Sequence, residues 1–223
     1  MKLGYTVVIP AFNAEKFLEE TLQSVFAQSV KPVSVIVVDD GSTDRTAEIA
    51  QSMSPQVTVV RTKNQGAGAA TNVGVAAVET PFLTMLDSDD LWKPTKIEEQ
   101  FAVLKDTQAD VQAVLCRLTP FGEVTQKTAD EKTSGWSRST LLIETEVFRR
   151  VGPVVDMENG FGEMIDWFSR AKSTGVKFHM VDEPLALRRI HSGSTSFKAD
   201  QGRAEDMLRI AHRAIMNRRK CGE

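Results

Sequence analysis

The sequence predicts an α/β fold, a mostly parallel sheet flanked by helices, and three observations carry that prediction. Short runs rich in Val, Ile, Leu and Phe recur at Tyr5–Ile9, Val33–Val38, Val57–Val60 and Phe82–Leu86. Such runs, each bounded by turn residues, suit strands covered on both faces. Segments with helical spacing separate them, and strand–helix–strand alternation implies parallel strands joined by right-handed crossovers. Finally, a polar segment follows each run directly: Pro10–Asn13, Asp39–Asp44, Arg61–Gly66 and Asp87–Asp90. Ligands of open α/β sheets bind beyond the carboxyl ends of the strands, so these four segments are expected to converge on one crevice.

The elements follow in order. Ala14–Gln28 places Phe17, Leu18, Leu22, Val25 and Phe26 at helical spacing. A second helix, Thr43–Met53, opens at DGSTD, where Ser42 or Thr43 can cap and Asp44 suits the positive helix end. Gly66–Val78 is rich in Ala and Gly, which lets its backbone approach a neighbour closely. Pro94–Leu104 starts with proline near the first turn, where proline is tolerated. Beyond it, Val111–Leu118 reads as a strand and Thr119–Ser137 as a polar loop or irregular hairpin. Ser139–Ile143 reads as a short strand, Thr145–Val151 and Gly162–Ser173 as helices, Val176–Val181 and Pro184–Ile190 as two strands, and Arg203–Lys220 as a terminal helix. With no internal repeat and no long linker, the expectation is one domain with two halves, 1–104 and 105–223.

Bulk properties narrow the function. A chain of 223 residues buries roughly 70% of its unfolded surface and needs neither disulfide nor metal to fold. The hydrophobic fraction of 41% and charged fraction of 26% are those of an ordinary globular protein. A net charge of −3 argues against a nucleic-acid partner, whose footprint is a basic surface. Cys116 and Cys221 lack metal-ligand spacing and form no disulfide framework. Pro10 and Asn13 interrupt the only apolar stretch near the N-terminus, so no signal peptide and a cytoplasmic location are expected. No transmembrane segment is expected. The terminal segment 203–220 carries six basic and two acidic residues; packing on the domain is the leading reading, and peripheral association with anionic lipid is the other.

Chemistry concentrates at the strand ends. Asp87, Asp89 and Asp90 place three carboxylates in four residues, which repel unless a cation or strong donors neutralise them. Oxygen ligands of this kind suit Mg²⁺ or Mn²⁺, which bind phosphate oxygens as well. The alternative is that Asp90 caps the following helix and Asp87 faces solvent. Asp39–Asp40–Gly41–Ser42 reads either as an acceptor for a nucleobase or ribose or as a turn with a helix cap.

The motifs VVIPAFNAEKFLEETLQSV, VVDDGSTDRT, NQGAGAATNVGV and FLTMLDSDDLWKP, in that order, resemble the family 2 glycosyltransferases of the GT-A fold. GFGEMIDWFSRA and EPLALRRIHSGSTS extend the likeness over nearly the whole chain. The resemblance implies a Rossmann-like sheet with a nucleotide-sugar-binding half (1–104) and a smaller mixed acceptor-binding half with the terminal helix (105–223). It implies a metal-assisted, inverting transfer from a UDP- or dTDP-sugar to a hydroxyl of a glycan, a lipid-linked acceptor or a protein. Pro10, Phe12 and Asp40, with Ala11 and Asn13 of the same loop, match the nucleobase side. Asp87 and Asp89 match the metal-binding pair, Ser88 lies near the ribose, and Asn72 matches an asparagine of the family's Ala-Arg-Asn segment. His191 matches a late histidine that closes over the diphosphate, which makes the expected metal set Asp89, Asp87 and His191.

Two departures stand out. Thr71 occupies the position of the family's arginine, so a bidentate cation is absent there; Arg188, Arg189 or Lys63 are the candidates to replace it. Counting back from Arg170, the family's general base falls on Met164, which accepts no proton. Glu163 and Asp166 flank it as candidate bases, with a solvated acidic helix face as the alternative. Two other functions remain in view: a nucleotide-sugar binder without catalysis, and a sugar nucleotidyltransferase, which the absence of glycine and arginine from PAFNAE disfavours. Trp136 is the expected acceptor-stacking residue; Trp92, Trp167 and His179 are read as structural.

Overall fold

The computed structural model describes residues 4–106, 110–122, 135–157, 162–193, 206 and 208–212. Among the described residues eight strands form one sheet, in the order β3 (Val57–Arg61), β2 (Ser34–Asp39), β1 (Tyr5–Ala11), β4 (Phe82–Met85), β7 (Leu142–Glu144), β6 (Ala113–Phe121), β8 (Phe178–Arg189) and β5 (Leu91–Trp92). In β1 (Tyr5–Ala11) and β2 (Ser34–Asp39) nearly every side chain is buried, as the unbroken apolar runs require. Two core layers explain why. Tyr5, Val7, Ile9, Val35 and Val37 point to one face, while Val8, Ile36 and Val38 point to the other. The period of two divides each strand between the layers, and each fully buried Val or Leu contributes roughly 1.5–3 kcal/mol.

The parallel half consists of β3 (Val57–Arg61), β2, β1 and β4 (Phe82–Met85), paired in parallel throughout. Helices α1 (Leu18–Phe26) and α2 (Thr46–Met53) bury Leu18, Leu22, Val25 and Ala50 in the first layer. Helix α3 (Ala67–Ala76) covers the opposite face. It lies very close to the sheet: a Cβ on Gly74 would meet Val8 Cγ1 at 2.4 Å. The Ala/Gly composition read from the sequence therefore serves helix–sheet approach.

The second half is mixed, as the resemblance implies. Strand β7 (Leu142–Glu144) runs antiparallel to both β4 and β6 (Ala113–Phe121). The two strands expected at 176–181 and 184–190 are one continuous strand, β8 (Phe178–Arg189), parallel to β6. Pairing shifts register around Arg117, so Asp182 and Glu183 are taken up as a bulge and Pro184 sits where a missing N–H is tolerated. A two-residue strand, β5 (Leu91–Trp92), pairs antiparallel with β8, which local pattern did not reveal. Helices α4 (Lys96–Lys105), α5 (Thr145–Val151) and α6 (Glu163–Ser173) complete the layers.

The strand expected at Ser139–Ile143 starts only at Leu142, as β7; its first residues belong to a 3₁₀ turn, Arg138–Thr140. Side chains claim its carbonyls: Trp92 Nε1 donates to Ser139 O (2.6 Å) and Gln100 Nε2 donates to Thr140 O (2.7 Å). Those two bonds, with Leu141 N donating to Arg138 O (3.2 Å), hold the segment in a turn. Trp136 also departs from expectation. Its ring packs edge-on against Phe168 (5.1 Å) and Phe178 (5.3 Å) with Lys172 Nζ 3.6 Å above it, so it belongs to the second core layer. Of the terminal helix, 208–212 are helical, with Ile210 buried and Leu208 exposed. Most of the polar stretch after Phe121, at 123–134, and the loop beyond Gly193 lie outside the described residues.

The same network that bends the chain at 138–140 contains Lys96, whose side chain is fully buried. Its Nζ donates to Gln100 Oε1 (2.8 Å) and sits 4.2 Å from the Trp92 ring. Burial disfavours the ammonium and lowers its pKa from 10.5 to about 8. Between those values the unfolded chain holds a proton that the folded chain has released, so this group adds stability as pH rises from about 8. Urea denaturation of wild type and Lys96→Met at pH 7 and pH 10 is expected to show the difference moving in favour of the wild type at the higher pH, by up to roughly 3 kcal/mol.

Candidate active site

The carboxyl ends of β1, β2, β3 and β4 do bring the four polar segments together. Asp40 N donates to Ala11 O (2.8 Å), and Asn13 and Ser42 are joined by Asn13 N to Ser42 Oγ (2.9 Å). Asn13 stands at φ 49°, a left-handed conformation that asparagine tolerates, and its Oδ1 accepts from Thr43 N. Phe12, next to Pro10 and Ala11, is 47% exposed, a large ring left open at the mouth of the crevice. Asp40 also braces its own surroundings. Its two oxygens already accept from Thr62 Oγ1 (2.7 Å), Gln65 N (2.9 Å) and Gly66 N (2.8 Å). The carboxylate builds the wall after β3, and Gly66 turns there at φ 103°.

Asp87, Ser88, Asp89 and Asp90 follow β4, and each has a different environment. Asp90 is buried; its oxygens accept from Arg189 N (2.9 Å) and Ser139 Oγ (2.8 Å). Burial, reinforced by the charges of Asp87 and Asp89, pushes its carboxyl well above the usual carboxylate range. The Ser88 carbonyl accepts from Thr21 Oγ1 (3.0 Å), which anchors the turn on α1. Asp89 Oδ2 meets His191 Nε2 at 3.1 Å, and His191 Nδ1 accepts from Gly193 N. That second bond places the ring proton on Nε2; to hold a cation through Nε2 the ring would carry its proton on Nδ1 instead and release Gly193 N. Burial and the neighbouring charge of Asp87 raise Asp89, while His191 pulls it down.

Arg189, one of the expected replacement cations, is held on the far side of this turn. Its Nε donates to Asp89 O (2.9 Å), Nη2 pairs with Glu20 (2.5 Å), and the guanidinium stacks over Phe17 and Phe121. The cation near Thr71 is another residue, Arg138, which sequence reading did not single out. Its side chain is 3% exposed and bonded to three elements. Nη1 donates to Thr71 Oγ1 (3.0 Å) on α3, Nε lies 3.3 Å from Asp87 Oδ1, and Nη2 lies 2.6 Å from Glu163 Oε1 on α6. Burial alone would lower the pKa of this guanidinium, yet Asp87 and Glu163 hold it above its ordinary value. The only signal in the sequence was the missing arginine itself, because nothing local marks Arg138 in SGWSRST.

The acceptor-side residues separate clearly. Glu163 opens α6, with a side chain 21% exposed. Met164 is buried in the second core layer. Asp166, the other expected base, is buried and paired with Arg170 Nε (2.9 Å). Arg170 in turn donates to Val151 O (3.0 Å) and Pro153 O (2.6 Å). The structure thus gives Asp166 a fastening role, one helical turn away from Glu163 and behind the surface.

Asn72 also fastens. Its amide donates to Val154 O and accepts from Val154 N, both at 2.8 Å. Two residues on, Asp156 accepts from Gly68 N and Ala69 N at 2.8 Å, satisfying two free donors at the start of α3. A Cβ on Gly68 would lie 2.6 Å from Asp156 Oδ1, so only glycine admits that carboxylate. Segment 152–157 leads to α6, and these four bonds fix its course.

For a divalent metal, Asp89 Oδ2 and His191 Nε2 are adjacent and partly exposed, with Asp87 nearby. Among the described residues no group of three or more His, Cys, Asp or Glu forms a closed metal cage. Two protein donors beside open space fit Mg²⁺ or Mn²⁺, which keep waters and take phosphate oxygens as remaining ligands.

A mixed α/β sheet with an acidic turn after its fourth strand and a carboxylate-bearing helix opposite is the architecture of a GT-A glycosyltransferase. The chain belongs to glycosyl transferase family 2, whose sequence profile matches residues 6–181. An uncharacterised glycosyltransferase of Rickettsia typhi is 28% identical over 210 residues, 86% of this chain and 65% of that protein. The glycosyltransferase GlyG of Streptococcus pneumoniae is 34% identical over 110 residues, 48% of this chain and 36% of that protein. The chain therefore spans less than two thirds of the length of these relatives. In structure it resembles S. aureus TarS (residues 1–349) in complex with UDP-GlcNAc, at a TM-score of 0.77 and 18% identity over 96% of this chain and 66% of that one. The complex of TarS with UDP gives a TM-score of 0.73 at 19% identity, over 96% of this chain and 65% of that one.

Because Asn72 and Asp156 fasten the same segment, their losses should overlap. Chemical denaturation of Asn72→Ala, Asp156→Ala and the double variant is expected to give about 1–2 kcal/mol for each single change. The pair should fall short of their sum by about 0.5 kcal/mol or more; full additivity would mean that the two contacts act independently.

Proposed function

We propose that the chain transfers a sugar from a UDP- or dTDP-linked donor to an acceptor hydroxyl, with inversion at the anomeric carbon. The observation that carries this reading is the arrangement of two carboxylate systems across one crevice. Asp89 with His191 forms the donor side, and Glu163 forms the acceptor side, joined to Asp87 through Arg138. The TarS complexes with UDP and UDP-GlcNAc support a nucleotide-sugar donor.

Phe12 offers an exposed ring against which a base can stack, beside the loop that Asp40 braces. Asp89 and His191 would hold Mn²⁺ or Mg²⁺, with Asp87 beside them. Such a metal supplies neutralisation of the diphosphate as its bond to the sugar breaks. On the other side, Glu163 Oε1 is tied to Arg138, which leaves Oε2 to accept a proton. The acceptor hydroxyl loses that proton to Glu163 as its oxygen bonds to the anomeric carbon. The carbon–oxygen bond to the diphosphate breaks on the opposite face, and the nucleoside diphosphate departs with the electron pair. The acceptor hydroxyl belongs to a glycan, a lipid-linked molecule or a protein, selected by groups in the second half. Among the described residues no helix is long and apolar enough to cross a membrane.

A second reading, a nucleotide-sugar binder without turnover, is favoured by Met164, which is buried in the core where the family carries its base. Kinetics separate the two. With UDP-GlcNAc or another UDP-sugar and Mn²⁺, Asp89→Asn is expected to lower turnover at least about 100-fold. Glu163→Gln should lower kcat by about 10² to 10⁴ with UDP affinity unchanged. Wild-type turnover that survives Glu163→Gln sinks the base assignment. Mn²⁺-dependent UDP binding with no turnover on any donor favours the binder.

A further inference from the structure

Arg138 is built into the molecule more thoroughly than a surface ion pair requires. The 3₁₀ turn that carries it is clamped by Trp92 Nε1 on Ser139 O and by Gln100 Nε2 on Thr140 O. Ser139 Oγ, one residue on, receives Asp87 N (3.2 Å) and donates to Asp90 (2.8 Å), so the turn and the acidic segment share a common frame. From this frame the guanidinium reaches α3 at Thr71 Oγ1 and Ala67 O, the acidic turn at Asp87, and α6 at Glu163. Asp156, on the segment that leads to α6, adds its charge to the same surroundings. A planar fork with fixed donor directions is the side chain suited to hold several acceptors in one geometry.

The two carboxylates it holds sit on different halves of the sheet. Asp87 follows β4 and remains 40% exposed at the side-chain level, whereas Arg138 lies behind it at 3%. Glu163 starts α6, where the backbone turns through Gly162 at φ 90°, and among the described residues no side chain caps that end. Left to itself, a glutamate at such a position has several rotamers within reach. The bond of 2.6 Å to Nη2 selects one of them.

We propose that Arg138 is a positioning residue for the transfer reaction: through one buried guanidinium it sets the carboxylate of Glu163 in register with Asp87, and so aligns the acceptor side of the crevice with the donor side. This rests on the function proposed above. Arg138 does not touch the reacting atoms; it acts through the two carboxylates that face the crevice. Its effect therefore belongs mainly to the rate of the bound complex: Phe12 and the Asp89–His191 pair lie outside its contacts, and of the expected metal residues it meets Asp87 alone, through Oδ1.

The test uses the full chain with Arg138→Met, Arg138→Ala and Arg138→Lys, each shown by thermal melting to be folded. Turnover is measured with UDP-GlcNAc and Mn²⁺, and UDP binding by calorimetry. Arg138→Met is expected to lower kcat about 100-fold, the loss that follows a small misplacement of a reacting group, with UDP affinity unchanged. Arg138→Lys should recover little, since a compact ammonium lacks the planar fork whose separate nitrogens reach Thr71, Asp87 and Glu163. Guanidinium ion added to Arg138→Ala should restore part of kcat and should restore none in Glu163→Gln. Unchanged kcat in folded Arg138→Met overturns the proposal, and so does an equal loss of UDP affinity, which would make Arg138 a donor-binding residue. A crystal structure of Arg138→Met decides independently of turnover: Glu163 should leave its wild-type rotamer, and a Glu163 that stays in place overturns the proposal. Should the wild type turn over no nucleotide-sugar, the proposed function fails while this structural result still stands or falls by itself.

Discussion

A guanidinium removed from water must be matched by acceptors on nearly every side, and in this protein that demand organises the site. Arg138 cannot be buried unless Asp87, Glu163 and Thr71 all arrive together. Each of them belongs to a separate element: the turn after β4, the start of α6 and the middle of α3. The fold meets the demand by fixing the turn at 138–140 through Trp92 and Gln100, both of which lie on the opposite layer from α3 and α6. A single charge thereby links the two halves of the sheet at the place where the crevice opens.

Glycine positions and carboxylates complete the frame. Gly74 lets α3 settle on Val8, and Gly68 lets Asp156 reach the free N–H groups at the start of the same helix. Asp156 and Asn72 then fasten 152–157, and Arg170 with Asp166 fastens its other side. Several acidic residues of this protein are therefore structural: Asp40 braces the loop after β3, Asp90 anchors Arg189 N and Ser139, and Asp166 holds Arg170. At the crevice, Asp87, Asp89 and Glu163 keep side-chain surface that a ligand could reach.

Much of the fold was legible along the chain. Apolar runs at Tyr5–Ile9 and Phe82–Leu86, interleaved with amphipathic helices, led directly to a parallel half-sheet with its polar turns on one edge. Helix α5 falls where its pattern places it, at Thr145–Val151. The second half was harder to read. Asp182–Pro184 looks like a break because a bulge and a turn use the same residues, and only pairing with β6 shows that the strand continues. Trp136 sits in a polar stretch, and no local property reveals that Phe168 and Phe178 enclose it.

The sequence by itself determined the architecture of the donor side, because strand periodicity and the turn residues after each strand are local properties of consecutive residues. It also exposed two gaps, at Thr71 and Met164, as absences within a recognisable pattern. Which cation packs against Thr71 was decided by tertiary structure alone, whereas Glu163 was already a candidate from its place beside Met164. Arg138 lies 67 residues from Thr71 and 25 from Glu163 along the chain. Charge pairing over such separations leaves no mark in spacing or composition, since a buried cation is chosen by the acceptors that surround it in space.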